Sequence, residues 1–111
     1  MPVQTIISQA GPLGSGISAQ FSVPTDDPIC ILVSGSVWAT QANQMIGFYI
    51  QLDGQQIGAA QIYSNGPNTH RAVVPVFIPA QLAFGNHTMS LTAYSGTTSD
   101  GNDFFCVSAL W

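Results

Sequence analysis

Along most of the chain apolar residues alternate with polar ones, the period of a half-buried strand. In residues 44–52, Phe48, Ile50 and Leu52 share one face of an extended strand and Gly47, Tyr49 and Gln51 the other. This sends Phe48 to the core and Tyr49 away from it. Asp53-Gly54 follows, a two-residue hairpin turn whose positions both take positive φ, and residues 55–63 form the returning strand. The same reading predicts strands at 3–8, 17–23, 29–40, 71–78, 87–94 and 103–111. Turn clusters such as Gly11-Pro12-Leu13-Gly14-Ser15-Gly16 and Thr25-Asp26-Asp27-Pro28 separate them. Residues 64–70, 79–86 and 95–102 read as loops or turns. No stretch repeats apolar residues at three- and four-residue spacing over three turns, so helices are not expected. About eight antiparallel strands in 111 residues predict an all-β, jelly-roll β-sandwich, a single domain over residues 1–111.

The last strand, Phe104-Phe105-Cys106-Val107-Ser108-Ala109-Leu110-Trp111, is apolar on both faces. That pattern places it centrally in a sheet, with its second face covered from outside the sandwich, most simply by another subunit. Trimeric jelly rolls of the tumour-necrosis-factor (TNF) and C1q kind pack one sheet of each protomer about a threefold axis in this way. The composition agrees, because 46% of residues are hydrophobic and only 5% charged. So sparsely charged a surface is suited to being hidden against copies of itself.

Charge also excludes partners. Five Asp and no Glu face a single basic side chain, Arg71, which rules out phosphate-backbone binding and argues against anionic membranes. No apolar run reaches the length of a membrane span, and Met1-Pro2-Val3-Gln4 lacks the features of a signal peptide. The expectation is a soluble protein, cytoplasmic until release or carried to the cell surface or beyond by a route without a recognisable signal. Cys30 and Cys106 are expected to be buried free thiols, with a bridge between them as the alternative.

Little in the sequence supports catalysis. His70 and His87 are the available bases, and neither neighbours a nucleophile elbow. His87, after Gly85-Asn86, is expected to satisfy a turn. Asp100-Gly101-Asn102-Asp103 is a conceivable fragment of a calcium site, but Asx hydrogen bonds in a hairpin turn explain it better, so neither metal nor cofactor is expected. The most informative segment runs from Tyr63 to Arg71. Sugar recognition needs a few fixed polar groups, preferably a planar Arg fork, and an aromatic face for the apolar side of the ring. Tyr63, Ser64, Asn68, Thr69, His70 and Arg71 offer that mixture, and Tyr49 on the preceding strand lines the same cleft in this reading.

These residues resemble a known family: the fucose-binding, TNF-like trimeric lectin domain that forms the N-terminal part of a bacterial superlectin. The likeness begins at Met1-Pro2, strengthens at Gly47-Phe48-Tyr49-Ile50, continues through Tyr63-Ser64, Pro67, Thr69 and Arg71, and ends in Ser108-Ala109-Leu110-Trp111. In that family fucose sits between two protomers, held by an Arg, hydroxyl side chains and Tyr residues without a metal ion. The resemblance implies that Arg71 makes bidentate hydrogen bonds to the sugar beside Thr69 and Tyr63, with Tyr49 offered by the adjacent subunit or facing wall. Asn68 replaces a family Ser and Ile62 a family Thr. A second family Arg is missing near Tyr94-Ser95-Gly96, where Ser95 offers a hydroxyl instead. The expected function is a homotrimeric lectin for fucosylated or related glycans. The alternative is a structural C1q/TNF-like head or appendage subunit of a spore, phage fibre or filament.

Overall fold

The computed structural model describes residues 2–111, and all the elements among them are strands. They are β1 (Val3–Ala10), β2 (Ile17–Val23), β3 (Pro28–Val37), β4 (Gln44–Leu52), β5 (Gln55–Ser64), β6 (Arg71–Ala72), β7 (Val76–Gln81), β8 (Gly85–Ala93) and β9 (Phe104–Leu110). One sheet has the order β1-β9-β3, with β6 and β7 both paired to the far edge of β3, and the other the order β2-β8-β4-β5. All pairings are antiparallel. Apart from β4–β5 and β6–β7, successive strands pass back and forth between the two sheets, which is the jelly-roll arrangement the alternation predicts. No helix is long and apolar enough to cross a membrane.

The inward residues of both sheets form one core. β3 contributes Ile29, Ile31, Val33 and Val37; β9 contributes Phe105, Val107 and Ala109; β4 contributes Ile46, Phe48, Ile50 and Leu52; β8 contributes Met89 and Leu91. Phe48 and Phe105 meet edge to face across the sheets, centroids 5.4 Å apart at 81°. Gly35 makes the meeting possible. A Cβ there would lie 2.8 Å from the Phe105 ring and 3.1 Å from that of Phe48.

The β4–β5 hairpin turns on Asp53 and Gly54 at φ 53° and 83°, as the Asp-Gly signal requires. Asp53 also accepts hydrogen bonds from the Thr88 amide (2.9 Å) and the His87 Nδ1 (2.6 Å), pinning the turn to β8. Phe48 is buried and Tyr49 exposed, as the phase of the alternation requires.

Three local expectations are corrected. The strand foreseen at 71–78 is two, because Pro75 has no N–H for a ladder. Over the break the Val73 amide donates to Gly35 O and the Val74 amide to Gln61 O, so the link ties the β3 edge of one sheet to the β5 edge of the other before the chain returns to β3. The turn foreseen at 79–86 is shorter, since β7 continues through Pro79 to Gln81 and β8 begins at Gly85. Pro79 is tolerated because β7 is an edge strand. The strand foreseen at 29–40 ends at Val37, and only Trp38 pairs further, in a bridge to Thr98.

β9 lies between β1 and β3, the central position its apolarity predicts. Of its outward residues, Phe104 is half exposed and Cys106, Ser108 and Leu110 are partly buried. The thiols are half-buried on this outward face rather than in the core. Cys30 pairs with Leu110 and Cys106 with Ser34, which sets them four residues, about 13 Å, apart along the ladder. That spacing excludes a bridge within the chain, whose limit is a Cα separation of about 7 Å.

Phe105→Ala removes half of the inter-sheet ring pair and is expected to cost about 3–5 kcal/mol. Urea denaturation checks this; a loss under about 1 kcal/mol would mean that the ring pair does not organise the core.

Candidate functional site

Residues 65–70 carry the chain from the end of β5 to the end of β3. Ser64 is fully buried and its Oγ donates to Gly66 O (3.0 Å), so it shapes the loop and cannot face a ligand, contrary to its place among the expected sugar contacts. Asn68 takes the left-handed conformation, φ 58°, and its amide donates to Ala39 O at 2.7 Å. Thr69 Oγ1 donates to Pro67 O (3.2 Å). These bonds fold the loop against β3 while the side chains of Asn68, Thr69 and His70 stay exposed. Arg71 then opens β6 opposite Val37.

His70 is held by an internal acid. Its Nδ1 lies 2.6 Å from Asp103 Oδ1 and its Nε2 3.6 Å from Asp100 Oδ2, and its ring packs on Trp38 with centroids 5.8 Å apart. The hydrogen bond to Asp103 raises the His70 pKa above its ordinary 6.5, against some desolvation and with help from the charges of Asp103 and Asp100. His70 thus fastens the loop to the 100–103 turn rather than presenting a free ring to a sugar. Asp103 is buried and also accepts from Ser36 Oγ (2.8 Å) and the Asp100 amide (2.9 Å), while Asp100 Oδ1 accepts from the Asn102 amide (2.8 Å). These are the Asx-type bonds expected of the turn. His70, Asp100 and Asp103 bring ligand-type atoms within 4.8 Å of one another, but three of the four carboxylate oxygens already accept protein hydrogen bonds.

Arg71 stands apart from this network. Among the described residues no carboxylate lies within 4.0 Å of its guanidinium, and its Nε is buried without a hydrogen-bond partner. Trp38 Nε1, on the residue following Val37, is also buried and unpartnered. A buried donor left unsatisfied costs about 1–3 kcal/mol, so two at one end of β3 mark a place where the fold lacks acceptors. Trp38 was not among the residues the sequence suggested, since an indole in an apolar strand reads as core.

A groove of about 380 Å³ lies along the edge of β5 beside the 73–76 link, lined by Met45, Ala59, Gln61, Ile62, Tyr63, Val74 and Val76. Tyr63 is half exposed there, opposite Met45 in the ladder. Tyr49 is on the same outward face of the second sheet, but it packs on Tyr94 at 4.5 Å and 51°. Tyr94 OH donates to Gln61 Oε1 (2.9 Å). Burial holds the Tyr94 phenol above its ordinary pKa of 10, so it remains a donor. Ser95 is exposed in the turn that follows, closed by the Thr97 amide donating to Tyr94 O (3.0 Å). The expected residues therefore fall into two groups. Asn68, Thr69 and Arg71 lie at the end of β3, and Tyr63, Tyr49 and Ser95 go with the outer face and edge of the second sheet.

No family model matches the sequence, and a search of curated proteins finds no relative. Solved structures do resemble it. The Eiger TNF of S. frugiperda superposes with a TM-score of 0.62 at 8% identity, over 100% of this chain and 94% of that one. The C-terminal domain of EclA, described as a sugar-binding protein, gives 0.54 at 12%, over 97% and 76%. The CBM36-1 domain of a multidomain xylanase from the hindgut metagenome of Trinervitermes trinervoides gives 0.53 at 9%, over 97% and 96%. At these identities the likeness is one of fold: the chain has the jelly roll shared by TNF and carbohydrate-binding module domains.

His87, like His70, faces acceptors with both nitrogens, Asp53 Oδ2 at 2.6 Å and Ala83 O at 2.7 Å, and its pKa is raised, mainly by Asp53. A raised folded-state pKa gives stability that is complete below 6.5 and lost as pH climbs through the folded values. Asp53, whose pKa the His87 bond lowers, contributes stability that is lost as pH falls below 3.8. Both imidazoles are expected to titrate above 6.5 by NMR and the melting temperature to fall as pH rises from 6 to 8; a flat melting temperature and ordinary titrations would contradict this.

Proposed function

We propose that this chain is a non-catalytic lectin domain that binds neutral glycans, fucosides foremost, at clefts between the protomers of a homotrimer. The observation that carries the reading is the pair of unsatisfied buried donors, Arg71 Nε and Trp38 Nε1, in a chain whose one Arg has, among the described residues, no carboxylate partner. A guanidinium that follows the exposed Asn68 and Thr69 closely in sequence suits vicinal sugar hydroxyls, which both accept and donate. Tyr63, at the groove on the neighbouring sheet edge, supplies an aromatic face, and Ser95 a further hydroxyl. The fold is compatible, since a sugar-binding domain of EclA and a xylanase-borne carbohydrate-binding module share it. Fucose itself rests on the resemblance in residues 47–71 and 104–111.

Self-association is supported by the outward face of the β1-β9-β3-β7 sheet. Val3, Leu32, Phe77, Phe104 and Leu110 share it with both cysteines, and the pairings bring no charged side chain onto it. Val3, Phe77 and Phe104 are 61%, 65% and 50% exposed, an apolar surface that water disfavours. That the two groups of residues meet in clefts between protomers rests on the same resemblance.

Catalysis is not supported. Ser36, Asp103 and His70 touch in sequence, but the carboxyl stands between hydroxyl and imidazole, so the imidazole cannot take the serine proton.

Arg71→Ala removes charge-assisted bonds worth about 1.5–3 kcal/mol each and is expected to lower affinity for a fucoside at least tenfold on a glycan array and by calorimetry. Unchanged binding overturns the site. Phe104→Asp is expected to convert a trimer to monomers by sedimentation velocity and to lose glycan binding with it. A wild type that assembles but leaves the array blank supports the structural-subunit reading instead.

A further inference from the structure

The outer face of the β2-β8-β4-β5 sheet has features that the Arg71 site does not use. Two aromatic stations stand on it. Tyr49 with Tyr94 forms one, and Tyr63 with Met45 the other, four residues or about 13 Å farther along β4. Between them the floor is Gly47, paired with Gln61. A Cβ at Gly47 would come within 2.1 Å of Ala60 O, and Gly47 is buried: the Tyr94 amide donates to Gly47 O and the Tyr94 phenol reaches Gln61, so these two side chains surface the strip between the stations.

The polar groups around this strip are fixed in advance. Gln61 Oε1 is taken by Tyr94 OH, which leaves its NH2 to donate outward. Gln51 Nε2 donates to Thr92 Oγ1 (2.8 Å), and Ser90 Oγ donates to Gln51 Oε1 (3.4 Å). Side chains ordered before a ligand arrives lose less entropy when it binds. Ser18, Gln20, Ser90, Thr92, Gln51 and Ala59 fill the neighbouring positions, with no carboxylate or cation among them. A face of stacked phenols and oriented amides and hydroxyls, without charge, matches a neutral ligand that is apolar on its ring faces and hydroxylated on its edges. The 13 Å separation is longer than one sugar ring.

We propose that this face is an extended-chain subsite, which takes further rings of a linear neutral oligosaccharide on Tyr49–Tyr94 and Tyr63–Met45 with Gln61 between them. The ligand class follows from the lectin reading, with which the subsite shares Tyr63, whereas Tyr49, Tyr94, Gln61 and Met45 take no part in the Arg71 site. The site would make affinity depend on chain length, which a single pocket at Arg71 does not.

The test measures affinity against chain length, using a neutral fucosylated series from the monosaccharide to the hexasaccharide and an unfucosylated linear hexasaccharide. Tyr94→Ala and Gln61→Leu are compared with wild type, and Tyr94→Phe, which keeps the ring, covers any failure of the alanine variant to fold. Wild type is expected to gain at least tenfold from one ring to four. That gain should shrink to under threefold in Tyr94→Ala and Gln61→Leu and fall at least twofold in Tyr94→Phe. No gain with length in wild type, or the same gain in all variants, overturns the subsite. If Arg71→Ala binds every length as wild type does while the gain persists and depends on Tyr94, the Arg71 reading fails and the subsite stands.

Discussion

The edge-to-face contact of Phe48 with Phe105, admitted by the absence of a side chain at Gly35, is the constraint on which the arrangement of this protein depends. It joins the middle of β4 to the start of β9, beside the last rungs of the ladder on β3. Val37, Trp38 and Ala39 follow directly, and each receives part of the 65–71 segment: Val37 pairs with Arg71, the Trp38 ring packs on His70, and Ala39 O binds the Asn68 amide. Core packing and the position of the lone guanidinium are thus linked through one strand.

Low charge has consequences on every surface. With Arg71 as the only Lys or Arg, ion pairs cannot organise the exterior, and each Asp with a stated contact is used locally. Asp53 closes a hairpin, Asp26 accepts the Phe84 amide, and Asp100 and Asp103 build a turn that captures His70. Arg71 takes no part in these bonds. The physical consequence is an unspent donor beside an indole in the same condition. In a low-dielectric rim those donors favour an acceptor more than they would in water.

The two sheets present outward faces of different chemistry. On the β1-β9-β3-β7 sheet the outward positions are largely aliphatic, aromatic or thiol, which suits contact with another copy of the chain. On the β2-β8-β4-β5 sheet they are amides, hydroxyls and tyrosines already bonded to one another, which suits a hydroxylated ligand. A sandwich needs only its inner faces to fold, so both outer faces are free to differ.

The sequence by itself determined the all-β class, the Asp53-Gly54 hairpin, the inward Phe48 and outward Tyr49, the central place of β9 and the Asx turn at Asp100. Each of these follows from residue period or from local turn chemistry, which act over a few neighbouring residues. Only the tertiary structure decided the rest. It buried Ser64, gave His70 to Asp103 thirty-three residues away, left Arg71 Nε and Trp38 Nε1 unpartnered, and set Tyr94 against Tyr49 and Gln61. It also broke the 71–78 segment into two strands on one edge of β3 and held the cysteines too far apart to bridge. Those outcomes depend on strand register across the sandwich, which brings together residues from distant parts of the chain and leaves no periodic mark within any one of them.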